Sequence, residues 1–178
     1  LIMRRLKRAG RGRAAVVVPH GTLFGDGISA RIKADLLEKF NLHTVVRLRE
    51  GVFAPYTDIP ANLIFFDTTG PTKDIWYYEM PLPEGRKKYS KTKPMRFEEF
   101  ADCQAWWSNR VENERAWRVP IADIEVNDEY NLDLRNPNRV DDLAHRPPAE
   151  LLAELIETER SILALLEKLE ADVAGDSQ

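Results

Sequence analysis

Few residues in this chain have the type and spacing for chemistry, and most of those suit phosphate recognition better than bond-making. Arg86, Lys87, Lys88, Lys91, Lys93 and Arg96 form a run of six bases without an acid, and residues 4–13 hold six more. Such runs permit a phosphate-facing surface, and they equally fit a solvated loop and a solvated helix face. Pro19 and His20 close an apolar run, at the kind of strand end where α/β sheets open towards a ligand. A histidine there fits a site rim, though plain solvation accounts for it more simply. His43 abuts a strand start and His145 sits in a polar stretch; three scattered histidines and the single Cys103 make no metal set. Gly25-Asp26-Gly27 is a lone glycine pair in a turn, without the context of a phosphate cradle. Phe53 stands in the loop Gly51–Pro60, GVFAPYTDIP, with Tyr56 and Thr57 beside it and Asn62 just beyond. Taken alone, a loop phenylalanine reads as a plug under its own loop. No catalytic residue is assigned.

The elements that must position these residues follow from the apolar pattern. Ile2, Met3 and Leu6 share one side of a short helix over residues 1–9, ended by Gly10–Gly12. Ala14–Val18 is a continuous, largely β-branched run, the pattern of a strand buried on both faces, and Pro19 must stop it. Ser29–Phe40 is helical, with Ile32, Leu36, Leu37 and Phe40 on one face and Asp26 or Ser29 as its cap. Thr44–Leu48, Asn62–Phe66 and Ile75–Tyr78 are the next strands. Leu82–Pro94 loses its pattern among Pro, Gly, Lys and Arg and reads as a mobile loop. Arg96–Arg110 is a helix whose Phe97, Phe100, Trp106 and Trp107 are available for core packing. Trp117–Val126 is extended, and residues 127–147 form a polar linker. From Pro148 to about Val173, Leu152, Leu155, Glu159, Ile162, Leu166, Leu169 and Val173 recur at spacings of three and four, a heptad seam broken by one polar residue. At about 1.5 Å per residue such a helix is on the order of 40 Å long.

Composition bounds the class. A chain of 178 residues that is 43% hydrophobic and 31% charged supports one ordinary domain with a real core and does not suit a disordered chain. No run approaches the roughly 20 apolar residues that span a bilayer. The start, LIMRRLKRAGRGR, has its apolar and basic parts in the wrong order for a secretory signal. One cysteine excludes an intrachain disulfide framework and a Cys-rich zinc site, so the cytoplasm is the expected compartment. Of 26 bases and 29 acids, residues 150–178 hold two and eight, which leaves 24 against 21 and a slightly basic body.

GRAAVVVP, a helix ending LLEKFNLHTVVRL, and then GVFAPYTDIPANLIFFD together resemble the modification (methyltransferase) subunit of type I restriction–modification systems. Those subunits are N6-adenine DNA methyltransferases. The resemblance is close over residues 1–80 and looser through Leu134, where Glu129-Tyr130-Asn131-Leu132-Asp133 is similar to a stretch of that family. It implies an α/β fold, the C-terminal half of a Rossmann-like S-adenosylmethionine-dependent methyltransferase sheet. Ala14–Val18 becomes its fifth strand, and Thr44–Leu48 with Asn62–Phe66 the antiparallel final pair, the last strand inserted between the other two. The implied organisation is residues 1–80 as the C-terminal part of the catalytic domain, 81–147 as an extension with the basic loop, and 148–178 as an amphipathic helix and tail.

For function, the resemblance implies a fragment of an enzyme that moves a methyl group from S-adenosylmethionine to N6 of adenine in duplex DNA. The base must flip out, because its amine is otherwise paired and stacked. Phe53 matches the aromatic that packs against the flipped base, where stacking contributes about 1–3 kcal/mol. Pro19, His20, Tyr56, Thr57 and Asn62 are the implied pocket rim, and Arg86, Lys87, Lys88, Lys91 and Lys93 the contacts to DNA backbone. The family's Asn-Pro-Pro-Phe/Tyr tetrapeptide and glycine-rich cofactor loop are missing from these residues; Asn136–Arg139, NPNR, lacks the aromatic. Beginning on Leu1, the chain is therefore expected to be a piece of a larger subunit, inactive alone and not binding S-adenosylmethionine. Expected partners are duplex DNA, a second modification subunit, and a specificity subunit docked on Leu152, Leu155, Ile162, Leu166 and Leu169. Self-association through the uncovered edge of the first strand or through the C-terminal helix is also expected, and no membrane. Two other readings stay open. One is a non-catalytic module that binds a specificity subunit or DNA. The other is an unrelated nucleotide-binding α/β domain, disfavoured for want of a phosphate-cradling loop.

Overall fold

Five apolar runs become five strands of one mixed, mostly antiparallel sheet. They are β1 (Arg13–Pro19), β2 (Asn41–Arg47), β3 (Ala61–Asp67), β4 (Asp74–Glu79) and β5 (Ala116–Pro120), ordered β1-β3-β2-β4-β5. β3 lies antiparallel between β1 and β2, β4 runs parallel to β2, and β5 is antiparallel to β4. The strand containing Asn62–Phe66 thus sits between its two predecessors, as expected. The expected three strands are, however, only part of a five-stranded sheet, because β4 and β5 extend it beyond β2. The structure, a computed structural model, describes residues 1–125, 130–138, 152, 155–163 and 165–166.

Strand side chains alternate in direction, so each strand feeds two cores. Leu42, Val45, Phe66, Ile75, Tyr77 and Trp117 share one core with Leu23, Leu36, Leu37 and Phe40 from the helices α2 (Gly21–Phe24) and α3 (Ile28–Lys39) and the residue that follows. Met3 and Leu6 of α1 (Ile2–Ala9) lean on the same core. Val46, Ala61, Tyr78 and Ala116 enter the second, with Cys103 and Trp106 of α4 (Ala101–Ser108). Tyr77 and Trp117 stack at 5.1 Å between ring centres and are fully buried. Such a pair adds about 0.5–1.5 kcal/mol beyond the area it buries.

Several local expectations change once the tertiary contacts are present. β1 was expected to be buried on both faces. It alternates instead, with Ala14, Val16 and Val18 turned to the first core and Val17 53% exposed, because among the described residues it pairs only with β3. β2 begins earlier than Thr44, since Asn41 and Leu42 pair with Asp67 and Phe66 before a bulge at His43. Trp117–Val126 was expected to stay extended. It breaks after Pro120 into the helical turn α5 (Ile121–Glu125), with Asp123 favourably placed in the first turn. α3 is capped by Gly27 at φ +60, without a side-chain cap from Asp26 or Ser29. Its inner face carries Lys33, 4% exposed, where Ile32 was expected; Lys33 Nζ donates to Leu23 O at 3.0 Å, and Ile32 is 52% exposed. Arg96–Arg110 divides into a 3-10 turn, Phe97–Phe100, and α4.

Residues 140–178 form a second unit, separate from residues 1–139. Its described residues are helical and exposed, Leu152, Leu155, Ile162 and Leu166 among them. Leu169 and Val173 lie outside the described residues.

Candidate functional site

Where β1 and β2 end and β3 begins, the chain encloses a polar cleft of about 380 Å3, lined by His20, Arg47, Leu48, Arg49, Glu50, Pro60, Asn62, Glu79, Leu82 and Lys87. The two turns that shape it are tied together by the backbone. His20 N–H donates to Pro60 O at 2.9 Å, and Leu48 N–H to Ala61 O at 2.9 Å. Of the expected rim residues, the structure brings His20 and Asn62 into this cleft, together with Lys87 of the basic loop.

Arg47 organises the cleft. Its guanidinium lies over the Tyr77 and Trp117 rings, each 5.5 Å away, so the buried stack supports the charge from below. Nη2 donates to Asp133 Oδ1 at 2.8 Å, and Nη1 is 3.6 Å from Glu79 Oε1. Asp133 Oδ2 in turn is 3.4 Å from His20 Nε2. His20 Nδ1 lies 3.5 Å from Asn62 Nδ2, and Asn62 is almost wholly buried. An Asn62 amide that donates to Nδ1 leaves Nε2 as the N–H that faces Asp133. One polar chain thus runs Asn62–His20–Asp133–Arg47–Glu79 across four strand ends. The expectation of a simply solvated His20 is overturned, since Asp133, Asn62 and the edge contact with Phe24 at 5.6 Å hold the ring.

Asp133 arrives from a segment that had been read as linker. Residues 130–138 are docked. Leu132 is buried, its N–H donates to Leu23 O at 2.9 Å, and its carbonyl accepts the Tyr77 hydroxyl at 3.0 Å. Burial pushes the Tyr77 phenol well above its ordinary range, against a smaller opposing pull from Arg47, so it stays a neutral donor. Asn136 in the NPNR stretch ties the segment down, donating from Nδ2 to Glu114 O at 2.8 Å. Residues 126–129 and 139–151 lie outside the described residues.

The Phe53 loop stands beside the cleft rather than in it. Gly51 fixes its entry: φ is +75, and a Cβ there would lie 2.1 Å from Tyr89 O, so only glycine fits. Phe53 is 40% exposed and so is not a plug beneath its loop. Tyr56 is 93% exposed, and Thr57 Oγ1 accepts from Ile59 N–H at 3.1 Å within the loop. Pro19 pairs with Ala61 at the strand end. None of these four lines the cleft.

The basic loop is more structured than its composition suggests. Tyr89 is fully buried, its N–H donates to Glu50 O at 3.0 Å and its hydroxyl to Glu99. Arg86 approaches Glu99 at 4.0 Å and Lys88 pairs with Asp58 at 2.7 Å, so these two charges are partly used. Lys87, Lys91 and Lys93 are exposed and enter no ion pair among the described residues.

The residues that sequence reasoning missed are Arg47, Arg49, Glu50, Glu79 and Asp133. The available signal was an arginine closing the apolar run Thr44-Val45-Val46 and an aspartate closing Asn131-Leu132. Gly25 and Gly27 lie between two helices, and Gly51 is packed on Tyr89, so these three form no strand-to-helix cradle for S-adenosylmethionine.

The family model described as N-6 DNA Methylase matches residues 1–145. The chain is 48% identical over 174 residues to the type I restriction enzyme EcoEI methylase subunit of Escherichia coli, covering 94% of this chain and 35% of that subunit. A crystal structure of a modification subunit from Vibrio vulnificus YJ016 superposes with a TM-score of 0.69 at 61% identity, over 75% of this chain and 29% of that one. A chain from a structural study of type I restriction–modification complex assembly gives 0.73 at 45% identity, over 95% of this chain and 37% of that one. The chain therefore spans about a third of the length of these relatives.

Proposed function

The chain belongs to the N-6 DNA methylase family, and on that premise we propose that it is the C-terminal portion of a type I modification subunit. The parent enzyme transfers a methyl group to N6 of adenine in duplex DNA after flipping the base. S-adenosylmethionine, when bound to the parent, supplies that methyl group, and its site lies in the remainder of the subunit. This portion is inactive alone. Its share of the work is the closing half of a Rossmann-like sheet and one wall of the base pocket. The single observation that carries the reading is the insertion of β3 antiparallel between β1 and β2, with the Phe53 loop standing at the strand ends beside the polar cleft.

In this reading Phe53, exposed and held by a loop that Gly51 locks, stacks on the flipped adenine. Pro19, His20, Tyr56, Thr57 and Asn62 form the rim. Arg86, Lys87, Lys88, Lys91 and Lys93 track the DNA backbone, with Lys87, Lys91 and Lys93 contributing most because their charges are uncommitted. The exposed Leu152, Leu155, Ile162 and Leu166 face a specificity subunit, with Leu169 continuing the seam. A second modification subunit completes the complex, and the open edge of β1 favours self-association of the isolated chain. Residues 1–80 close the catalytic domain, 81–147 extend it, and 148–178 dock the partner.

Calorimetric titration of S-adenosylmethionine into this chain, beside the same chain extended to the length of its relatives, tests the proposal. Binding by the extended form alone is expected. Binding by these 178 residues would mean that the cofactor site lies within them and that the division of labour is wrong.

A further inference from the structure

We infer that the trough between α1 and α3 is the docking site of a partner protein that presents an acidic amphipathic helix. The trough encloses about 600 Å3 and is lined by the apolar Met3, Ile32 and Phe40 and by the cations Arg4, Lys7 and Lys39. Its Lys39 end lies where β1 and β2 begin, at the opposite end of these strands from the polar cleft. The basic run over residues 4–13, which the DNA reading leaves unassigned, borders it.

Two features of this face are out of keeping with plain solvation. The first is apolar. Ile28 is 76% exposed and Ile32 52%, one turn apart on α3, and Ile2 on α1 is 44% exposed. With Asp35 and Lys39 the two isoleucines recur at spacings of four, three and four, so one stripe of α3 is presented to solvent over about 16 Å. The second is charge. Asp35 is the one carboxylate lining the trough among the described residues, and Lys39 already pairs with it. A hydrogen bond from Lys39, then the charges of Lys39, Lys7 and Arg31, hold its carboxyl below the usual carboxylate range. Arg4, Arg5, Lys7, Arg8 and Arg31 are exposed and enter no ion pair among the described residues. Apolar side chains in a cationic surround call for a ligand that is apolar along one line and acidic beside it. A duplex backbone brings the acid without the apolar line and leaves the isoleucines wet. A helix with Asp and Glu flanking an apolar stripe brings both, at the same turn-by-turn repeat as α3. The uncommitted charges also separate an exchangeable partner from a permanent cover. Interfaces kept for the life of a protein are the more apolar ones, whereas exposed cations steer a partner that arrives from solution.

The test is an amide-resolved NMR titration of this chain with a synthetic acidic amphipathic peptide, leucines on one face and glutamates on the rest, at low and at high salt. Shifts are expected at Arg4, Lys7, Ile28, Ile32 and Lys39, with an affinity that falls as salt rises. Ile32→Gln, at an exposed position, is expected to weaken the peptide roughly tenfold, the scale of one apolar side chain left wet. Lys7→Glu is expected to weaken it severalfold, while Lys91→Gln on the basic loop leaves it unchanged. Polyglutamate binding as tightly as the peptide would overturn the inference, since charge alone would then suffice. So would a DNA duplex, or vesicles of phosphatidylserine, that shifts the same residues as strongly as the peptide does. Shifts confined to residues outside the trough would overturn it as well. Loss of peptide binding in the chain extended to the length of its relatives would contradict it too, because the rest of the subunit would then be what covers the trough. None of these outcomes bears on the S-adenosylmethionine titration, in which the methyltransferase reading stands or falls separately.

Discussion

The same two strands line two hollows of nearly equal size and opposite chemistry. The polar cleft holds about 380 Å3; on the second core lies an apolar groove of about 410 Å3, lined by Val46, Leu63, Phe65, Phe97, Phe100, Cys103, Gln104 and Trp107. Arg47 and Asn62 belong to the first, their immediate neighbours Val46 and Leu63 to the second. Alternation along a strand explains the pairing, since a single step moves a side chain to the other face. What differs is how each wall is held. The groove is made by apolar contact among rings, such as Phe65 and Trp107 at 4.7 Å. The cleft is made by directed bonds between segments far apart in sequence, Arg47 to Asp133 and His20 to Asn62. A wall of rings tolerates exchange of one ring; a chain of charges loses its geometry when one member goes. Burial at the groove also pushes the Cys103 thiol up to about 11, which leaves it a packing residue rather than a nucleophile.

The sharpest way to break this contrast is beneath the cleft. Trp117→Ala removes one ring of the fully buried stack that supports Arg47, and is expected to lower the unfolding free energy by about 3–5 kcal/mol in urea titrations. Asp133→Ala leaves Arg47 short of a partner and frees the 130–138 segment, with an expected loss of about 1–2 kcal/mol by the same measurement. Asp133→Asn, which keeps the shape and loses the charge, is expected to recover part of it.

A smaller effect separates the two sides by pH. Burial, then the charge of Arg110, lowers the pKa of His43 beside the groove. A histidine held neutral in the fold contributes stability above its unfolded pKa of about 6.5, and that contribution is lost as pH falls through the lowered folded value. Melting temperature is therefore expected to decline from about pH 7 to about pH 5, with a shallower decline in His43→Gln. Least costly is the groove rim, where Phe97 is 73% exposed. Phe97→Ser is expected to change stability by less than about 0.5 kcal/mol. A loss as large as that of Asp133→Ala would mean the groove wall is as cooperative as the cleft.

How much of this was legible in the sequence follows the same division. Ala14–Val18, Asn62–Phe66 and Ile75–Tyr78 announced themselves because local apolar patterning makes strands, and each was found within a residue or so of its observed ends. The face of α3 was misjudged because Lys33 satisfies its charge on Leu23 O, a tertiary contact that no periodicity carries. The burial of β1 was overestimated because a β-branched run does not say how many neighbours a strand has. His20, Asn62 and Lys87 were legible as candidates by type and position. Their meeting with Arg47 and Asp133 was not, because it depends on residues 130–138 folding back over the end of the sheet. Polar composition had made that stretch look like a linker, although its asparagines serve as ties.

The most direct test of the central claim is Phe53→Ala in the whole modification subunit assembled with its partners, measured as steady-state methylation of a target duplex. Loss of one base-stacking contact is expected to lower kcat/KM by roughly tenfold to a hundredfold while S-adenosylmethionine affinity stays unchanged. Methylation at the wild-type rate would contradict the claim that this loop forms a wall of the base pocket.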